Sequence, residues 1–251
     1  MGIEAAASAN PDGYTILLGN IGTMAINPVY YTKFQYRPLQ DLIPITQIVD
    51  VPGCLVVHPS LPVKSIKDFI AHLKANPGKL NYGAPAPSSA NTLETIMFLN
   101  ATGTNAVQIA YKGGAGPATI GLLSNEVNMM FVTFSSVVGH AKQGRLRMLA
   151  VVSPDRNPAY PEIPTMREQG LNMIVGSWQG VFVPKGTPQS VVGKLFKVSQ
   201  DMMKDAGVVK RLTDNGITIV TSKSPADFVA FLKAETERFG KVIKENKIQT
   251  E

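Results

Sequence analysis

Residues 80–100 read LNYGAPAPSSANTLETIMFLN, and this stretch decides the architecture. Leu80 to Gly83 has the character of a short strand, Ala84 to Ser89 is a Pro- and Ser-rich loop that cannot continue it, and Asn91 to Asn100 places apolar residues at helical spacing. A strand that feeds a loop and then a helix is the building unit of α/β proteins, and the same unit recurs on both sides of this stretch.

Upstream, Ser65 followed three residues later by Asp68 is a helix N-cap pattern, and Ile66, Phe69, Ile70 and Leu73 share one face until Asn76-Pro77-Gly78 stops the helix. Downstream come a strand at Ala106–Tyr111, the Gly-rich turn 112–116, a helix at Pro117–Leu123, a strand at Val127–Thr133, a helix at Val137–Gln143 and a strand at Leu146–Val152. Nearer the N-terminus, residues 3–9 are Ala-rich and helical, Asn10 to Gly13 form a dense turn, and Tyr14–Leu18 reads as a short buried strand. A short helix at Thr23–Tyr31 precedes two strand-like runs, Leu42–Val49 and Cys54–Val57, which Pro52-Gly53 is expected to separate. After Pro-rich punctuation between Pro154 and Pro164, the chain continues with a strand at Trp178–Val183, helices at Val191–Ala206, Val208–Asn215 and Pro225–Asn246, and a strand candidate at Thr218–Val220. Alternating strands and helices argue for parallel sheets with helical crossovers.

With 251 residues the chain exceeds an average domain, so one large domain or two lobes of about 120 residues is the starting expectation. Hydrophobic residues at 44% and charged residues at 17% place it among globular proteins. The net charge of +6 is spread out. Its richest stretch, Lys233 to Lys247, interleaves Glu235, Glu237 and Glu245, which reads as a solvated helix face and excludes a nucleic-acid patch. A mild positive field suits an anionic small ligand. The single cysteine, Cys54, lies in an apolar run and has no partner for a disulfide or metal site. No stretch approaches 18 apolar residues, and the N-terminus as written lacks the basic and apolar regions of a signal peptide.

Enzyme motifs fail one by one. His58, His72 and His140 have neither HExxH spacing nor nearby Cys or carboxylate clusters, so no metal is expected. There is no GxSxG elbow, no GxxxxGK[ST] loop and no GxGxxG opening a helix, so no cofactor is expected either. The strand-to-helix loop around Gly83, Ala84, Pro85, Ser88, Ser89 and Asn91 is more informative, because ligands of open α/β sheets sit at such loops. Helix-start amides and these hydroxyls could hold a carboxylate without an arginine; equally, Ser89 or Asn91 could simply cap the helix. Thr133, Phe134 and Ser135 form a second loop of this kind, and the segment from Asn20 to Thr23 a third. Polar loops without a catalytic constellation favour binding over chemistry.

The order of motifs resembles the substrate-binding proteins of the tripartite tricarboxylate transporter class, the TctC or Bug family. PDGYTILLG (11–19), AINPVYY (25–31), AYKGGAGPA (110–118), EVNMMF (126–131), GRLRMLAV (144–151), PEIPT (161–165), GSWQG (176–180) and PKGTP (184–188) follow in the family's order over essentially the whole chain. The resemblance implies an α/β, periplasmic-binding-protein-like (type II) fold: two lobes, 1–52 with 178–251 and 53–177, around a ligand cleft. It implies a small carboxylate as ligand, contacts with a membrane permease, a monomer, and a periplasmic location. Trp178 near the second crossing joins the candidate ligand residues on the same ground. Members that bind amino acids often carry Asp just after Met-Met-Phe; Val132 stands there, which points to a di- or tricarboxylate or an aromatic acid. The family usually starts earlier, with a signal peptide, a first strand and a Pro/Gly-rich loop, so the resemblance also implies a shortened first lobe. The rival readings are a ligand-occupancy sensor for a signalling partner and a remnant that binds nothing.

Overall fold

The computed structural model describes residues 2–33, 36–173 and 175–248. The chain divides into two compact units, one made of 1–50 and 177–251, the other of 51–176.

The first unit opens with α1 (Gly2–Ala7), which buries Ile3 and Ala6. Asp12 Oδ1 accepts the Tyr14 amide at 3.0 Å, so the Asn10–Gly13 turn forms as its residues dictate. The buried strand expected at 14–18 is corrected: β1 is Leu17–Asn20, and Tyr14, Ile16 and Leu18 are 94%, 53% and 55% exposed. The reason is position, since β1 ends the strand path and pairs only with β7 (Gly176–Pro184), leaving one face uncovered. One turn of π-helix (Gly22–Ile26) runs into α2 (Asn27–Tyr30), and α3 (Pro38–Asp41) precedes β2.

β2 is a single strand of 16 residues, Leu42–Val57, so Pro52-Gly53 does not break it as expected. Pro52 falls between the ladder to β8 (Thr218–Ile219), which uses Val49 and Asp50, and the ladder to β5 (Met129–Thr133), which starts at Gly53. Its missing N–H therefore takes no bond from either.

The second unit alternates α4 (Ile66–Ala75), β3 (Asn81–Ala84), α5 (Ala90–Thr102), β4 (Val107–Ala110), α6 (Ala115–Leu123), β5, α7 (Phe134–Lys142) and β6 (Arg147–Val151). β3 pairs in parallel with β4 and β5, while β2 runs antiparallel to β5 and β6. The sheet is therefore mixed, with its parallel part where strands alternate with helices. Ser65 Oγ accepts the Asp68 amide at 3.1 Å, the cap read from the sequence, and such caps contribute about 1 kcal/mol each. Phe69 stacks on Phe98 at 6.0 Å and Phe98 meets Phe131 at 5.7 Å, forming an aromatic column between helices and sheet.

The chain then returns through β7 to the first unit, adding α8 (Gln189–Met202), α9 (Ala206–Thr213), β8 and α10 (Pro225–Glu245). Glu235 corrects the reading of this last helix as a solvated face. Phe228, Leu232, Glu235, Phe239 and Ile243 fall on one helical stripe, and that stripe is buried. Glu235 survives there because Trp178 Nε1 donates to its Oε2 at 3.1 Å and Arg238 Nε to its Oε1 at 2.7 Å. No described helix is long and apolar enough to cross a membrane.

Candidate functional site

In the second unit, parallel pairing decides where the loops go. β4, β3 and β5 lie side by side in that order and point the same way, so their carboxyl ends share one edge. The loops that follow them, 85–89, 111–114 and the β5–α7 junction, emerge together at that edge, which is where α/β sheets bind ligands. Two of these are loops singled out from the sequence. The third is tied to the first by the Tyr111 amide, which donates to the Ala84 carbonyl at 3.0 Å. Its two glycines, Gly113 and Gly114, have φ of +101° and +91°, a left-handed backbone that side chains disfavour.

At α5 the capping reading is realised: Ser89 Oγ accepts the Thr92 amide at 3.2 Å. Thr92 Oγ1 donates to the Ala86 carbonyl at 2.7 Å, which folds the loop back over the helix start. The cap does not use up the helix end. The first intrahelical backbone bond runs from Leu93 to Ser89, and among the described residues the amides of Ala90 and Asn91 have no protein acceptor. At α7, Thr133 occupies the N-cap position with no side-chain hydrogen bond to the helix, and Ser136 Oγ turns back to the Thr133 carbonyl at 2.7 Å. Thr133 and Ser135 are half-buried. This edge thus offers helix-start amides and hydroxyls suited to an anion.

Other expected residues hold different places. Gly83 and Ala84 are buried at the end of β3, Pro85 is half-buried, and Ser88 is buried in the loop. The Phe134 side chain is fully buried in the core against Tyr160, so only its backbone belongs to the loop. Trp178, in the first unit, is also buried; its indole N–H is spent on Glu235 and its ring packs edge-on against Phe228 and Phe231. Its side chain packs into the core of that unit. Asn20 and Thr23 bond each other: Thr23 N donates to Asn20 Oδ1 at 3.0 Å and Asn20 N to Thr23 Oγ1 at 3.3 Å, closing the start of the π-helical turn.

Reading the sequence missed two residues that shape these loops. Glu94 is 1% exposed, and a Cβ on Gly53 would lie 2.7 Å and 2.9 Å from its carboxylate oxygens, so the glycine makes room for the carboxylate. Gly53 sits opposite Thr133 in the β2–β5 register, which brings Glu94 to the same edge. Burial, and then the charge of Glu94, push the Cys54 thiol well above its ordinary range, so Cys54 is an inert core thiol. Tyr36 donates to the Thr23 carbonyl at 3.3 Å, and burial raises its phenol to about 12. A carboxylate in an otherwise apolar helix stretch was the available signal for Glu94. Tyr36 gave none. Among the described residues no three His, Cys, Asp or Glu side chains are grouped to hold a metal.

Solved structures share this fold. The chain is 31% identical to the periplasmic binding protein BugD, with a TM-score of 0.91, over 100% of this chain and 84% of that one. It is 31% identical to the R. palustris protein Rpa4515, solved with adipate, with a TM-score of 0.92 over 99% of this chain and 83% of that one. It is 26% identical to MatC from Rhodopseudomonas palustris, solved with bound malate, with a TM-score of 0.87 over 96% and 83%. The model of the tripartite tricarboxylate transporter family receptor, TctC, matches residues 1–248, and the chain belongs to that family of substrate-binding proteins.

Proposed function

We propose that this chain captures a small carboxylate without an amino group, a di- or tricarboxylate or an aromatic acid, in the periplasm and hands it to a tripartite tricarboxylate-type membrane transporter. The observation that carries the reading is the shared edge of β3 and β5, where the helix-start amides of Ala90 and Asn91 stand beside a Thr133 hydroxyl that caps nothing. An anion there gains hydrogen bonds and the favourable end of two helices without needing a cation. We assign the grip to Ser88, Ser89, Asn91, Thr133 and Ser135 with the backbone of 83–85 and 134, and give Asn20 and Thr23 the same role in the first unit. Adipate and malate in the two related structures support the ligand class. Val132, at the end of β5, offers no partner for an ammonium group.

Thermal unfolding of the whole chain with a panel of aliphatic, aromatic and amino carboxylates tests this. A ligand at one hundred times its dissociation constant stabilises by about 2.7 kcal/mol. At roughly 2–4 °C per kcal/mol for this size, the midpoint should rise by about 5–10 °C. Thr133→Val should abolish the shift without lowering the midpoint of the free protein. No response to any carboxylate, or a response to amino acids alone, would sink the reading.

A further inference from the structure

The first unit carries a groove along α10 that the ligand loops do not use. Its floor is apolar: Val29 of α2, Leu39 of α3, and Gly240, where an added Cβ would come only within 4.0 Å of Val29. Its volume is about 520 Å³, and it shares Leu39 and Thr236 with an adjoining cavity of about 440 Å³ that holds Arg37. Lys233, Lys241 and Lys244 line it and are exposed. The carboxylate within the groove is Glu237, paired to Lys241 at 3.1 Å, and among the described residues Lys233 and Lys244 have no ion pair. These side chains form a stripe at helical spacing beside the buried stripe of α10. From residue 233 to 244 the stripe is about 16 Å long, room for three turns of a second helix.

An apolar floor with a cationic rim and a glycine at its centre is shaped for an amphipathic helix that carries acidic residues beside its apolar face. We infer that this groove docks an acidic amphipathic helix of the membrane partner. The inference rests on the transport reading above and adds to it the surface and the charge of the contact. Rim cations attract the partner and set its register, while Val29, Leu39 and Gly240 supply the apolar contact.

The test uses the full chain and two synthetic 18-residue helical peptides with the same leucine face, one flanked by glutamates and the other by lysines. The glutamate peptide should bind at least about tenfold more tightly than the lysine peptide, and its affinity should fall steeply with added salt. The combined variant Lys233→Glu, Lys241→Glu, Lys244→Glu should invert that preference. Gly240→Leu, which fills the floor and favours the helix, should block both peptides while the protein stays folded. Equal binding of the peptides, or an unchanged preference in the triple variant, overturns the inference. So does co-sedimentation with phosphatidylglycerol vesicles that the triple variant loses while neither peptide binds, which would make the occupant a membrane surface. Carboxylate-induced thermal shifts run on the same variants separate the two ideas: shifts retained without peptide binding leave capture standing and sink the groove, and the reverse sinks capture alone.

Discussion

The two units solve the same packing problem unequally. In the second, strands alternate with helices and, of the described large hydrophobic residues, only Val107 and Ile120 are substantially exposed. In the first, Tyr14, Ile16, Leu18, Leu39, Val198, Met202 and Val220 are all exposed. The difference follows from topology. The second unit's sheet is sandwiched by the helices that connect its strands, whereas in the first unit β1 closes the strand path and β8 has only two residues. The first unit instead packs its core on α10, through Phe228, Leu232, Phe239 and the Trp178–Glu235 contact. Cohesion therefore centres on an aromatic column between helices and sheet in one unit and, in the other, on the rings that α10 packs against β7. The second unit should be the more resistant of the two.

The largest test of that contrast is Phe131→Ala. Phe131 is fully buried in the column with Phe98 and Phe69, and removing a buried ring of this kind costs about 3–5 kcal/mol. Trp178 is the chain's one tryptophan and lies in the first unit, so its emission reports that unit while far-ultraviolet circular dichroism reports both. In urea the Trp178 transition of the unaltered protein should precede the dichroism transition, and Phe131→Ala should close or reverse that gap. Coincident transitions in both proteins would show that the units unfold together and that the asymmetry has no energetic weight.

Glu235→Ala should act in the opposite sense. It leaves the Trp178 N–H buried without an acceptor and the Arg238 guanidinium without its carboxylate, a loss of about 2 kcal/mol. The Trp178 transition should move to lower urea, widening the gap. Glu235→Gln keeps an acceptor for the indole and should recover part of the loss. If the alanine variant moves neither transition, the contact is not what holds the first unit's core.

Much of this was legible in the sequence, and the failures share a cause. Ser65 with Asp68, the Asn10–Gly13 turn and the glycines at 113 and 114 are legible because each is settled locally, by a side chain bonding nearby backbone or by a glycine's freedom to take positive φ. The loops at 84–89 and 133–135 were readable for the same reason. That β3 and β5 are neighbours, which brings those loops to one edge, depends on strand order and was available only through the family likeness. Composition shows a charged helix around Glu235 but not which of its stripes turns inward. The place of Glu94 depends on Gly53, a residue 41 positions away that only the fold brings beside it. Pro52 does not end β2 because a proline breaks a strand only where a ladder needs its N–H, and the ladders to β8 and β5 both stop short of it.

The smallest expected effect is at β1. Leu18 lies in β1 and Tyr14 and Ile16 in the segment just before it; all three are exposed, among the described residues β1 pairs only with β7, and no charge or proline from residue 13 to 20 guards that edge. Ile16→Thr with Leu18→Thr places a β-branched residue in β1 and removes exposed apolar surface at both positions, so stability should change by less than about 0.5 kcal/mol. What should change is association: light scattering at high protein concentration should fall, because an unguarded apolar edge recruits other copies. A destabilisation above about 1 kcal/mol would mean that these side chains are covered in solution, and the contrast between the units would then be smaller than their exposures suggest. Unchanged stability with unchanged scattering would place the cause of any self-association elsewhere, on Val198 and Met202 of α8, which the same pair of measurements on Val198→Thr can decide.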